Sequence, residues 1–83
     1  MVSTARTYTL DLHGLKVHQA QSLLQETIDK CSYHGYTSLK VIFGHGTGKL
    51  AEMCVSEYLA NPLVDSQGVY LSTEHGYMII PLN

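Results

Sequence analysis

The spacing of apolar residues changes repeatedly along this chain, and most of the changes fall at a glycine or a proline. From Thr7 to Leu12 apolar and polar side chains alternate, which is the period expected of a strand. From Val17 to His34 the apolar residues recur every three or four positions, which is typical of an amphipathic helix. Gly35 then stands where a helix ends in a left-handed residue. The pattern predicts strands that alternate with helices.

The remaining half of the chain continues this alternation and closes with a hairpin. Leu39–Phe43 is short, apolar and rich in β-forming residues, which predicts a buried central strand. A second helix is indicated after it and ends before Pro62. Its apolar positions are Leu50, Cys54 or Met53, Tyr58 and Leu59.

Three extended segments are predicted near the end of the chain. Leu63-Val64 forms a brief one, and the strands Val69–Thr73 and Tyr77–Leu82 flank a tight turn at Glu74-His75-Gly76. Pro81 indicates an edge position or a strand end, because it has no backbone N–H.

The predicted element order is β-α-β-α-β-β. Each strand-helix-strand passage crosses over right-handed and makes its two strands parallel, whereas the hairpin adds an antiparallel margin. We therefore expect an α/β (α+β) two-layer sandwich with a four-stranded mixed sheet and two helices on one face. Residues 1–6 are predicted to be a flexible lead-in and residues 7–83 a single domain.

The charge balance argues against a dedicated nucleic-acid binder. The 83 residues include five Lys and Arg against seven Asp and Glu, a net charge of −2, whereas affinity for a nucleic-acid backbone comes mainly from neutralised phosphates. No apolar run approaches the roughly 20 residues of a membrane span, and no targeting pattern is present. We expect a cytoplasmic protein without membrane contact, with Cys31 and Cys54 reduced.

A glycine loop, Phe43–Leu50, closes one predicted strand and opens a helix. Successive glycines allow backbone N–H groups to converge, and a helix N-terminus adds partial positive charge. The candidate phosphate ligands are Gly44, His45, Gly46, Thr47, Gly48 and Lys49. Three residues separate Gly44 from Gly48, so the spacing is not that of a Walker A loop. The alternative is that the glycines serve only a sharp turn, with Thr47 as a helix cap.

An acid and a histidine close the first predicted strand, in Leu10-Asp11-Leu12-His13-Gly14. Asp11 and His13 are two residues apart and therefore point to the same side of a strand. A carboxylate beside an imidazole fixes the tautomer and raises the basicity of the free nitrogen. Such a pair can take a proton from water or from a ribose 2′-hydroxyl. The alternative is that Asp11 holds the turn or caps the helix while His13 is merely solvated.

Metal and base-stacking sites have weaker support. No H-x-x-x-H or C-x-x-C spacing exists, so no metal ligands are assigned, although Mg²⁺ on Asp11 plus a substrate phosphate is compatible with the sequence. His18 is expected to point away along a helix, and His34 and His75 are expected at the surface. The tyrosines are dispersed in the sequence, which favours half-buried positions over a base-stacking platform.

Taken together, the two motifs resemble the Smr (small MutS-related) domain. The similarity spans about residues 8–82 and includes the second helix, which runs to Glu57-Tyr58-Leu59 and is followed by Asn61-Pro62-Leu63-Val64. It is greatest to the Smr domain at the C-terminus of the second type of bacterial MutS proteins. The resemblance implies the same β-α-β-α-β-β sandwich and a role in binding or cleaving nucleic acid.

The resemblance also assigns roles to residues. Asp11 and His13 match the L-D-x-H motif that the family associates with cleavage, and Gly44, Gly46 and Gly48 match its glycine loop, which is associated with backbone contact. Two departures remove positive charge near the phosphate site. Relatives often carry Thr or His at Phe43, Lys or Arg at His45, and arginines where this chain has Ala51, Glu52 and Met53.

The leading hypothesis is therefore an endonuclease that nicks DNA or cleaves RNA. No cofactor is required by the sequence, although a metal-bound water, supplied by Mg²⁺, suits DNA cleavage. The alternative is a non-catalytic module that binds structured DNA or RNA weakly, or binds another domain or protein. A third hypothesis is binding of a small phosphorylated metabolite at the glycine loop.

Overall fold

The structure, a computed structural model, describes residues 5–83 as four strands and two helices in the predicted order. The strands are β1 (Thr7–Asp11), β2 (Ser38–Ile42), β3 (Tyr70–Ser72) and β4 (Tyr77–Pro81), and the helices are α1 (Val17–Tyr33) and α2 (Lys49–Ala60). A short 3₁₀ turn covers Ser66–Gly68. The α+β fold class predicted from the sequence is confirmed.

The start of the described chain is attached to the fold at Arg6. Its backbone N–H donates to the Thr37 hydroxyl, and its side chain donates to the His34 carbonyl and lies 4.3 Å from the centre of the Tyr36 ring. Arg6, which the sequence placed in the lead-in, is thus held by specific contacts. Residues 1–4 of that lead-in lie outside the described residues.

The strands form one mixed sheet in the order β1-β2-β4-β3. β1 and β2 are parallel, and β4 is antiparallel to both β2 and β3, so β2 is central as predicted. Pro81 ends β4. The pairing of β3 with β4 extends only as far as Tyr70 and Ile79, so no β3 residue lies opposite Pro81. The Pro81 carbonyl accepts a hydrogen bond from the backbone N–H of Asp65 instead. The predicted extended segment at Val64 is confirmed as a bridge to Leu82.

Both helices pack on one face of the sheet and enclose a single core. The sheet contributes alternate residues, and the helices contribute the apolar stripe of α1 and two residues of α2. The core residues include Leu10, Leu12, Leu39, Val41, Met78 and Ile80 from the sheet side and Ala20, Leu24, Ile28, Cys31, Met53 and Cys54 from the helices. Two helix residues expected in the apolar pattern are instead solvent-exposed, Val17 at 38% and Leu59 at 64%.

The C-terminus of α1 confirms the role predicted for Gly35. This glycine has a φ of +78°, and its N–H donates to the Ser32 carbonyl while that of Tyr36 donates to the Cys31 carbonyl. These two bonds satisfy carbonyl groups that a helix end leaves without partners. The turn directs the chain back into β2.

Among residues 5–83, no helix covers the other face of the sheet. Residues that lie opposite each other on neighbouring strands project to the same face, and the strand register places a second set of side chains here. We call this surface the open face; it includes Thr9, Asp11, Lys40, Ile42, Tyr70, Tyr77 and Ile79.

Both cysteines lie in the core as free thiols, as predicted. Burial raises the pKa of the Cys54 thiol to about 12 and also raises that of Cys31. Within residues 5–83, neither helix has the length and apolar character needed to cross a membrane.

Candidate functional site

The two motifs meet at one rim of the sheet. Because β1 and β2 are parallel and adjacent, their carboxyl ends lie side by side, and each strand is followed by a loop that opens a helix. A groove of about 430 Å³ lies between these loops, lined by His13–Val17 on one side and Phe43–Ala51 on the other. The loops approach closely, since a Cβ atom added at Gly44 would lie only 3.3 Å from Cβ of His13.

Asp11 and His13 are in direct contact at the end of β1. The ring Nδ1–H of His13 donates to Oδ1 of Asp11 across 2.6 Å, and the backbone N–H of His13 donates to the same oxygen across 3.1 Å. Both side chains are largely solvent-exposed, at 68% for His13 and 49% for Asp11. The hydrogen bond from the ring, and then the one from the backbone, hold the pKa of Asp11 below its usual value.

This geometry combines the two alternatives that the sequence left open for Asp11. The carboxylate holds the turn through the backbone of His13, and it also orients the imidazole. It does not cap α1, because both of its hydrogen bonds go to His13, which precedes the helix. With Nδ1 engaged, His13 presents Nε2 as its free ring nitrogen, which is the arrangement of a general base.

The glycine loop forms the opposite wall of the groove. Gly48 is the residue before α2 and has a φ of +86°, and no side chain caps the helix, so Thr47 does not act as the cap. Among residues 5–83, the backbone N–H groups from His45 to Gly48 have no hydrogen-bond partner. Those at the start of α2 lack helical partners by geometry. The loop therefore offers a row of free donors beside a helix N-terminus.

The turn between β3 and β4 is hydrogen-bonded to the glycine loop. The Gly76 carbonyl accepts hydrogen bonds from the backbone N–H groups of Phe43 and Gly44, at 2.8 and 3.0 Å. Nε2 of His45 donates to the Glu74 carbonyl at 2.6 Å, so only Nδ1 of that ring is left for a ligand. These contacts join segments about thirty residues apart, and the sequence carried no signal for them.

Positive charge around the groove comes from two lysines and two helix ends. Lys49 is the first residue of α2, and Lys16 directly precedes α1. Both lysines line the groove. The N-termini of α1 and α2 add partial positive charge at the same place. Lys16 was not among the candidates from sequence, although it stands only two positions after Gly14 in the first motif.

The donor set does not suit a resident metal ion. Within the described residues, no three His, Cys, Asp or Glu side chains come together. Asp11 is the single carboxylate at the groove side of β1, and one of its oxygens already accepts two hydrogen bonds from His13. The described residues therefore form no preformed cage for Mg²⁺.

The fold and groove define a small two-layer α/β domain with a groove at the carboxyl ends of two parallel strands. The Smr domain family model matches residues 10–74. The chain belongs to the Smr domain family, which is associated with nucleic-acid binding and nuclease activity.

Comparison with solved structures agrees with this assignment. The Smr domain of Thermus thermophilus MutS2 superposes with a TM-score of 0.83 at 21% sequence identity, over 92% of this chain and 98% of that one. At this identity the similarity shows the fold. No curated protein sequence matches the chain.

Proposed function

We propose that this domain binds nucleic acid and cleaves RNA, with His13 as the general base. The observation that carries the proposal is the Asp11–His13 contact, which leaves Nε2 of His13 free beside a groove lined with unpartnered backbone donors. Membership of a family associated with nucleases supports the assignment.

The glycine loop would hold the scissile phosphate. Free N–H groups from His45 to Gly48 can donate to its non-bridging oxygens, and the hydroxyl of Thr47 and the ammonium group of Lys49 add a further donor and a charge. Together these donors would stabilise the charge that develops on the phosphate in the transition state.

The 2′-hydroxyl of RNA would be the nucleophile. Nε2 of His13 takes the hydroxyl proton while the 2′ oxygen forms a bond to phosphorus. The bond from phosphorus to the 5′ oxygen then breaks, and that oxygen leaves with a proton from water. The ionised Asp11 stabilises the imidazolium that results. The products are a 2′,3′-cyclic phosphate and a free 5′-hydroxyl, and His13 returns its proton to solvent.

RNA fits this site better than DNA because RNA carries its own nucleophile. Hydrolysis of DNA requires an activated water, which nucleases commonly obtain from a bound metal ion. Among residues 5–83 no three side chains form a set of metal ligands, so such an ion would have to be held by Asp11 together with the substrate phosphate.

The test is cleavage of end-labelled RNA and DNA, single- and double-stranded, with Mg²⁺ or with EDTA. His13→Ala is expected to lower the cleavage rate by about 100-fold or more. Asp11→Asn, which affects the reaction only through the orientation of His13, is expected to lower the cleavage rate less. His34→Ala is the matched control because His34 is exposed and lies outside the groove. Undiminished cleavage by His13→Ala would overturn the assignment of the base.

A second function, binding without cleavage, is favoured by the weak positive charge of the groove. Its side-chain cations are Lys16 and Lys49, while Nε2 of His45 is occupied by the Glu74 carbonyl. Under this alternative the wild type binds RNA with no turnover. The slope of log affinity against log salt, about −0.7 per phosphate contact on a single strand, then counts the contacts.

A further inference from the structure

Tyr70 and Tyr77, which belong to the neighbouring strands β3 and β4, come together on the open face. The ring centroids of Tyr70 and Tyr77 lie 6.0 Å apart, with their planes tilted by 45°. Nζ of Lys40 lies 4.7 Å from the centre of the Tyr77 ring, and the His75 ring lies 6.5 Å from it. Tyr70 is 54% exposed. The sheet thus presents a cluster of aromatic rings with one cation to solvent.

This cluster begins at the same rim as the candidate site. Tyr77 lies opposite Ile42 on β2, and Ile42 lies opposite Asp11 on β1. The three residues form one row across the sheet, so Tyr77 and Asp11 are separated by two strand spacings, about 10 Å. Tyr70 lies opposite Ile79, two residues further from the rim along β4, and is therefore on the same face as Tyr77. The aromatic surface therefore leads directly to the Asp11–His13 pair.

We propose that the open face binds unpaired bases of single-stranded RNA, which stack on Tyr70 and Tyr77 while a neighbouring phosphate enters the groove. This inference rests on the proposed function and names the form of RNA that the site takes. Nζ of Lys40 lies over the Tyr77 ring, so a base that stacks on this face of the ring displaces the ammonium group, which can then pair with a neighbouring phosphate. Stacking needs only the face of a base, so the surface accepts bases of any identity.

The charge of the chain favours a single strand over a duplex. Affinity for a duplex depends on neutralising many phosphates, whereas this chain has only five Lys and Arg residues and a net charge of −2. Stacking on aromatic side chains contributes affinity that does not depend on net charge. The bases of a duplex are stacked on each other and are not available to a flat sheet face.

The experiment measures the affinity of a short fluorescein-labelled oligouridylate in a His13→Ala background, in which the RNA stays intact. Tyr70→Ala is expected to weaken binding by about fivefold to about a hundredfold. The same factor is expected at low and high salt. Tyr33→Ala is the matched control, because Tyr33 is 87% exposed at the end of α1; it is expected to change affinity by less than about twofold.

A second measurement uses tryptophan, which the chain lacks. In Tyr70→Trp the indole fluorescence is expected to be quenched when the single strand binds, and in Tyr33→Trp it is expected to stay constant. Circular dichroism is used to check that each variant keeps the fold. Equal affinity for the oligouridylate and for its duplex with oligoadenylate would overturn the proposal, and so would unchanged affinity in a folded Tyr70→Ala variant.

These outcomes separate the two proposals. If the wild type cleaves RNA and Tyr70→Ala binds it normally, the open face is not the platform and the proposed function stands. If Tyr70→Ala loses affinity but the wild type cleaves nothing, the platform stands and the proposed reaction does not.

Discussion

Gly76 allows a sharp test of how the β3–β4 turn supports the glycine loop. Its φ is +72°, and a Cβ atom at this position would lie 2.9 Å from the Gly44 carbonyl oxygen and 3.0 Å from two further Gly44 backbone atoms. All three atoms belong to the main chain, so no side-chain rotation relieves the overlap. An alanine here therefore requires either the turn or the glycine loop to move.

The expected cost has two parts. A left-handed backbone costs an alanine about 1–2 kcal/mol, and forcing atoms into a packed contact costs about 1–3 kcal/mol more. Gly76→Ala is therefore expected to lower the free energy of unfolding by about 2–5 kcal/mol in all. For a domain of this size, each kcal/mol lowers the melting temperature by about 4–8 °C.

Two other glycines provide matched controls. Gly14 has a φ of +82° and no heavy atom within 4 Å of an added Cβ, so Gly14→Ala is expected to cost only the backbone part, about 1–2 kcal/mol. Gly46 has neither the positive φ nor a close neighbour, and Gly46→Ala is expected to stay within about 0.5 kcal/mol of the wild type. Urea unfolding followed by circular dichroism measures all three. A Gly76→Ala variant as stable as Gly14→Ala would refute the close contact between turn and loop.

Three further outcomes are expected from the structure. In His13→Ala the pKa of Asp11, followed by carbon-13 NMR, is expected to rise towards its usual value, and no change would contradict the ring hydrogen bond. Because folding lowers this pKa, ionised Asp11 stabilises the fold above its unfolded-state pKa, and Asp11→Asn and the wild type should approach equal stability as pH falls through the folded-state value. The Cys54 thiol, with a pKa of about 12, should react with a thiol reagent only after denaturation, and rapid native-state labelling would argue against its burial. Gly44→Ala should perturb the NMR signals of the His13 ring, since the added Cβ would lie 3.3 Å from Cβ of His13, whereas unaltered signals would place the loops further apart.

The element order was predictable from the sequence because it depends on local periodicity. The apolar stripe on α1, the left-handed Gly35 and the turn at the glycine loop each depend only on residues that are near in the sequence. Three strands are a residue or two shorter than predicted, and β2 is shifted by one residue, since hydrogen bonds to neighbouring strands decide where a strand ends. The exposure of Val17 at the groove likewise depends on packing that periodicity does not describe.

The candidate site was predictable only where both partners share one motif. Asp11 and His13 are in contact as predicted, but His13 lies in the turn after β1 and not on the strand, and its backbone N–H as well as its ring bonds to Asp11. The bond from His45 to Glu74 depends on β4 inserting between β2 and β3, a long-range pairing. The same insertion brings Tyr77 beside Tyr70 and under Lys40, residues that the sequence showed only as dispersed.

The insertion of β4 between β2 and β3 has a consequence for the order in which the domain is completed during synthesis. The strand that joins the two parts of the sheet leaves the ribosome after the other three strands, and until it does, β3 has no neighbour in the sheet and the glycine loop lacks the Gly76 carbonyl. A nascent chain therefore has both motifs but not the assembled groove. A domain boundary drawn at residue 74, where the family match ends, would have the same effect in a truncated protein.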